Sequence, residues 1–215
     1  MTDDPCRAIP ADEFLALTAQ GVLPLDVRTC DLYATSHLRG AIFIGIDGKF
    51  AAWAERLLEP AQPLILIAAP EHVEPVVKVL RELGHTDVRG FLEGGFEALQ
   101  LSGESFARTE RVDTAQLANE LAGAESPHLL DVRQPPEWQK GCIGEAPNLP
   151  LTEIASGKGE IPTDRRVILH CQGGYRSLIA ASFFERAGHR DLVDVRGGYH
   201  AWATEGRPVC VPDQS

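Results

Sequence analysis

The 215-residue chain is 44% hydrophobic and 24% charged, the balance of a globular protein rather than a disordered one. Its net charge of −11 argues against non-specific nucleic-acid binding, which needs a basic footprint, although a local cationic pocket can sit in an acidic protein. No apolar run reaches the ~18 residues that would suggest a membrane span.

The opening Met1-Thr-Asp-Asp-Pro5 lacks the basic and apolar regions of a signal peptide. Cys6, Cys30, Cys142, Cys171 and Cys210 are odd in number and scattered, with no C-x-x-C pair. That is no disulfide framework, so a reducing, cytoplasmic setting is expected. The histidines form neither H-x-H nor H-E-x-x-H, so no metal site is expected, and no cofactor.

Along the chain, short apolar strands alternate with helical stretches, and the pattern occurs twice. Leu23-Pro-Leu-Asp-Val-Arg28 is matched by His128-Leu-Leu-Asp-Val-Arg133. At the same offset Tyr33 falls on Trp138, Leu38 on Ile143 and Ala41 on Ala146. Phe50, Trp53 and Leu57 have helical spacing and should be core. Leu64–Ala68 matches Arg166–His170, Arg81–His85 matches Glu185–His189, and Gly94-Gly-Phe96 matches Gly197-Gly-Tyr199. Two copies of this length imply two domains rather than a solenoid, with the seam near Ser102-Gly-Glu-Ser105.

In the second copy, Asp113-Thr114 should cap a helix running to about Ala122. His128–Val132 reads as a buried strand, Leu151–Ser156 as a short helix and Arg166–His170 as a second strand. Ser177–Ala187 is helical with Gly188 as its stop. Leu192–Val195 is another strand, and Tyr199–Thr204 a last helical turn. The fold class is therefore α/β: two domains, each a mainly parallel sheet with helices on both faces. Functional loops in such sheets lie beyond the carboxyl ends of the strands. The stretch after Asp131-Val-Arg133, the loop after His170 and the turn at Gly197-Gly198 should meet there.

The informative loop is His170-Cys171-Gln-Gly-Gly-Tyr-Arg176-Ser177. Gly173 and Gly174 let the backbone curl with N–H groups facing inward. The helix that starts near Ser177 adds partial positive charge to the same spot. Such an electropositive pocket favours a nucleophilic thiolate, expected here to be partly exposed. Arg176 can turn its guanidinium to the loop's mouth.

This loop resembles the active-site loop of the rhodaneses. Asp131-Val-Arg133 before Glu137-Trp138 is similar to that family's opening motif, Ser36-His-Leu-Arg-Gly-Ala41 to its G-H-I-x-G-A motif, and Gly197-Gly-Tyr-His-Ala-Trp202 to its closing motif. The resemblance runs along nearly the whole chain, twice. It implies a sulfurtransferase in which Cys171 takes a sulfane sulfur from thiosulfate or a low-molecular-weight persulfide. Cyanide or a thiol then removes it, in ping-pong fashion. Gln172, Gly173, Gly174, Tyr175 and Arg176 would bind the substrate, with Arg176 recognising its anionic group. Asp131, Arg133, Glu137 and Ser177 would support the loop, Arg133 and Glu137 reading alternatively as a purely structural ion pair. His170 and His200 read as core or rim residues. Cys142 stands where the first copy has His37, and reads as packing or, alternatively, a resolving thiol.

In the first copy the loop reads Ala68-Ala69-Pro-Glu-His-Val-Glu74, with Ala69 expected at the cysteine position and Glu71 and Glu74 repelling anions. Leu32 replaces the counterpart of Glu137. Residues 1–104 are thus expected to be an inactive rhodanese-like domain and residues 105–215 the catalytic one. Asp47-Gly-Lys-Phe-Ala-Ala-Trp53 is further similar to the inactive first rhodanese-like domain of fusions with a persulfide dioxygenase. That resemblance implies a persulfide dioxygenase or another sulfur-pathway enzyme as partner. Two rival readings stay open. A cysteine phosphatase or arsenate reductase has C-x5-R, one residue longer than the C-x4-R here. A non-enzymatic persulfide carrier or sulfide-responsive module would use the same loop.

Overall fold

The computed structural model of the chain describes residues 6–101, 106–123 and 127–212. The opening Met1–Pro5 and the expected seam at Ser102–Ser105 lie outside the described residues. The chain divides into two compact units, 1–108 and 109–215.

Unit one runs β1 Ala8–Ile9, α1 Ala11–Ala19, β2 Leu23–Asp26, α2 Cys30–Thr35, β3 His37–Leu38, β4 Ile42–Phe43, α3 Phe50–Leu57, β5 Leu64–Ile67, α4 Pro70–Glu82, β6 Val88–Leu92, α5 Gly95–Gln100 and β7 Phe106–Ala107. Unit two runs β8 Glu110–Val112, α6 Thr114–Leu121, β9 His128–Asp131, α7 Pro135–Trp138, β10 Cys142–Ile143, α8 Leu151–Ala155, β11 Val167–His170, α9 Arg176–Arg186, β12 Leu192–Val195, α10 Gly198–Thr204 and β13 Val209–Cys210.

The main sheets repeat one plan. Unit one orders its strands β1-β6-β5-β2-β4, all parallel. Unit two orders them β8-β12-β11-β9, again parallel, with Asn148 bridging Asp131 where β4 would stand. Each unit adds a small antiparallel clasp, β3 with β7 and β10 with β13. Strands such as Leu64–Ile67 and Val167–His170 are buried at all four positions. This is why they read as continuous apolar runs rather than alternating ones. Asp113 caps α6 in a reciprocal capping box with Gln116, as its sequence suggests.

In unit two, Leu117 of α6 and Trp202 of α10 share a core with Leu129, Ile168 and Val193. Successive strand residues face opposite ways, so Leu169 and its register partner Asp194 point to the other face. There α9 packs on β11 and β12, and α8 on α9. Helices thus cover both faces of this sheet. Among the described residues no helix is long and apolar enough to cross a membrane.

Strand register also corrects one sequence alignment. Asp26 pairs with Ile67 in unit one, and Asp131 with His170 in unit two. Ile67 therefore corresponds to His170, and Ala68, not Ala69, occupies the position of Cys171. A linear comparison misses this because α4 begins at Pro70, only two residues beyond Ala68, while α9 begins five residues beyond Cys171.

Candidate functional site

Cys171 follows the buried strand β11, and the backbone then turns through Gln172–Tyr175 into α9. The turn aims the Gly174 N–H at Cys171 Sγ, at 3.1 Å. Ser177 Oγ, in the first turn of α9, lies 3.5 Å from the same sulfur. Gly174 needs its lack of a side chain. Its φ is +85°, and a Cβ would meet the Arg111 guanidinium, the Val195 carbonyl and the Gly197 N–H. Gly173 makes no such demand, since a Cβ there would enter open space. Cys171 is only 1% exposed, contrary to the partial exposure expected. Its thiol turns inward onto the Gly174 N–H and Ser177, while Gln172 and Gly173 form the exposed rim.

The three segments expected to converge do so. The turn at Gly197-Gly198 is sewn to the loop by hydrogen bonds from Tyr199 N to Cys171 O at 2.8 Å and from His200 N to Gln172 O at 3.0 Å. The stretch after Asp131-Val-Arg133 contributes Glu137, which receives both terminal nitrogens of Arg176 at 2.6 and 2.7 Å. Arg176 also stands near enough to Cys171 for the two to interact electrostatically. The Arg176 guanidinium holds the Glu137 carboxyl below the usual carboxylate range, against the partial burial that opposes it.

This geometry corrects two expectations. Glu137 pairs with Arg176, not with Arg133. Arg133 is instead buried against Asp131 in a bidentate pair, donates to Gly141 O at 2.6 Å and lies over the Tyr199 ring. Arg176 is therefore no free cation awaiting an anion, because Glu137 already offsets its charge.

The first unit serves as an internal control for which residues are architectural. Arg28 pairs with Asp26 and donates to Ser36 O just as Arg133 pairs with Asp131 and donates to Gly141 O. This pair occurs in a unit with no cysteine at the loop, so Asp131 and Arg133 hold the fold. His170 is fully buried, and burial pushes its imidazole down to about 4, which leaves a neutral core side chain. His200 is exposed on the rim. Cys142 is buried opposite Cys210, and desolvation together with the Cys210 thiol and Asp131 pushes its thiol up.

Sequence reasoning missed Asp194 and Arg111. Asp194 is fully buried in β12, accepts from Arg111 Nε at 2.8 Å, and accepts from Ser177 Oγ. The available signal was an acidic residue inside the apolar run Leu192–Val195, which a buried strand tolerates only with a partner.

The description "rhodanese-like domain" matches residues 10–102 and again residues 113–205. The chain is 36% identical over 102 residues to a sulfurtransferase of Allochromatium vinosum, a stretch covering 47% of this chain and 95% of that protein. It is 38% identical over 81 residues to the uncharacterised YqhL of Bacillus subtilis, covering 38% of this chain and 64% of the relative. It therefore spans almost all of the first and slightly under two thirds of the second. Among solved structures, a rhodanese-related protein of Thermoplasma volcanium is 30% identical, with 48% of this chain and 99% of that one covered, at a TM-score of 0.44. Since both halves are matched from near their first strand to their last helix, the protein belongs to the rhodanese-like domain family.

Proposed function

We propose that the protein is a sulfurtransferase whose second domain carries sulfane sulfur on Cys171, the first domain being chemically silent. The observation that supports this most is the placement of Cys171 Sγ, held by the Gly174 N–H and Ser177 beside Arg176. Such donors favour sulfur as an anion. The similarity to the Allochromatium vinosum sulfurtransferase supports the same class.

The thiolate attacks the outer sulfur of thiosulfate or of a low-molecular-weight persulfide. A Cys171 S–S bond forms as the donor's S–S bond breaks, and sulfite or a thiolate leaves with the electron pair. Cyanide or an acceptor thiol then attacks the outer sulfur, and Cys171 leaves as thiolate. The N–H groups of the loop hold the terminal sulfur. In domain one Ala68 offers no nucleophile, so its role is structural.

Steady-state turnover tests this directly. Thiosulfate with cyanide, or glutathione persulfide with a thiol, should give catalytic transfer. Stoichiometric loading of Cys171 without turnover for any pair would replace the enzyme with a carrier.

The Glu137–Arg176 pair adds a second expectation, about donor choice. Glu137→Gln keeps the shape and a hydrogen bond but removes the charge facing Arg176. Thiosulfate, a dianion, should then gain roughly ten- to a hundredfold in kcat/KM, a charge-assisted hydrogen bond being worth about 1.5–3 kcal/mol. Glutathione persulfide, less charged at its reactive end, should change little. Equal losses for both donors would mean that the pair only shapes the loop.

A further inference from the structure

The sheet of domain two contains a buried polar line that the sulfur chemistry above uses only at its Ser177 end. Arg111 and Asp194 are register partners on β8 and β12. Arg111 Nε donates to Asp194, and its Nη2 reaches the Gly174 carbonyl at 3.4 Å. Asp194 in turn receives Ser177 Oγ, which contacts Cys171 Sγ. Strand, helix and loop are thereby linked from Arg111 to the reactive sulfur.

Domain one shows that the fold does not need this line. By register, Ala8 stands in place of Arg111 and Phe91 in place of Asp194. Val73 takes the place of Ser177 along the helix, and Ala68 that of Cys171. Every member is apolar where the cysteine is missing. Apolar residues can often replace a buried ion pair without loss of stability. Stability alone therefore gives no reason to keep the pair in one domain only.

We propose that Ser177 and Asp194 form a proton relay that sets the charge of Cys171, an inference that rests on Cys171 being the sulfur nucleophile. Ser177 has one hydroxyl hydrogen, which can point to the carboxylate or to the sulfur. With Cys171 as thiol, the hydroxyl donates to the Asp194 carboxylate and its lone pair faces the S–H. The thiol proton then passes to Ser177 Oγ as the hydroxyl's own proton passes to Asp194 Oδ1. The products are a thiolate, a neutral carboxylic acid and a Ser177 hydroxyl donating to sulfur. No proton is gained or lost, and the reverse step returns it. Ser177 and Asp194 touch neither donor nor acceptor and are positioning residues.

Burial raises the Asp194 acid to about 6, against the pull of Arg111, Ser177 and Arg196. These groups, with Cys171 behind Ser177, are the charged and titratable groups facing it. As pH rises through about 6, Asp194 loses its proton. The freed carboxylate can then take the thiol proton through Ser177, so the alkylation rate should rise there.

The test is the rate of Cys171 alkylation by iodoacetamide in the full chain, followed on its own peptide by mass spectrometry from about pH 5 to about pH 9. The natural protein should show a distinct step near pH 6, ahead of the main rise. Asp194→Asn and Ser177→Ala should lose that step, and Ser177→Thr, which keeps the hydroxyl, should retain it. Ser177→Ala leaves the Arg111–Asp194 pair intact, so it answers the question even if Asp194→Asn fails to fold. A step that persists in Ser177→Ala, or is absent from the natural protein, would overturn the relay. Alkylation needs no sulfur donor, so a chain that shows the step yet transfers no sulfur would refute the sulfurtransferase reading and leave the relay standing.

Discussion

Replacing Cys171 by Ser should lower sulfur transfer by at least about a thousandfold for every donor, because removal of a covalent nucleophile leaves only binding and electrostatic assistance. A serine hydroxyl fits the same space and can still meet the Gly174 N–H, so the fold and its stability should be nearly unchanged. The same substitution at Cys6, Cys30, Cys142 or Cys210 should leave turnover within about twofold, since ordinary substitutions away from the chemistry have small effects. Steady-state assays on the five variants compare these directly. A Cys171→Ser protein with residual activity near that of the parent would move the chemistry to another thiol.

Gly198→Ala should be the most damaging substitution outside the loop itself. Gly198 has φ +55°, and a Cβ would lie 2.3 Å from the carbonyl oxygen of Cys171. That contact is backbone on backbone and cannot be relieved by turning a side chain. The loop would have to move, along with the Tyr199 N–H bond to Cys171 O that fixes it. Displacement of a nucleophile by about 1 Å lowers turnover by about a hundredfold. Left-handed backbone strain and overpacking together add about 2–4 kcal/mol of destabilisation. Gly95, the counterpart in domain one, has φ +65° but open space around it. Gly95→Ala should therefore cost about 1 kcal/mol from backbone strain alone, with turnover unchanged. Thermal melts and kcat/KM measured on both variants separate the two cases. Similar behaviour of the two would show that the close approach at Gly198 does not hold the loop.

Much of the fold was legible in the sequence because it is local. The strands Leu64–Ile67 and Val167–His170 announce themselves as short apolar runs, and Asp113 with Gln116 announces a helix start. The repeat supplied the rest of the architecture, since each motif found in one half could be sought in the other. The cysteine loop was legible for the same reason: the strand, the glycines and the helix are contiguous.

What the sequence hid depends on strand register and on contacts between distant segments. Arg176 meets Glu137 across 39 positions, and no local pattern distinguishes that pairing from one between Glu137 and Arg133. Asp194 meets Arg111 across 83 positions, and the pair exists only because β8 and β12 are adjacent and in register. Ala68 rather than Ala69 opposes Cys171 because loop length differs on the far side of the strand. Asp131 and Arg133, expected to support the loop, turned out to be architectural once the same pair appeared in domain one.

The central claim is that sulfur resides on Cys171 and on no other thiol. The direct measurement is peptide mass spectrometry of the full chain after brief thiosulfate treatment and alkylation of the remaining thiols. One added sulfur atom should appear on the peptide containing Cys171, and disappear when cyanide is added. Added sulfur on the peptide of Cys6, Cys30, Cys142 or Cys210 instead, with Cys171 alkylated as a plain thiol, would contradict the account.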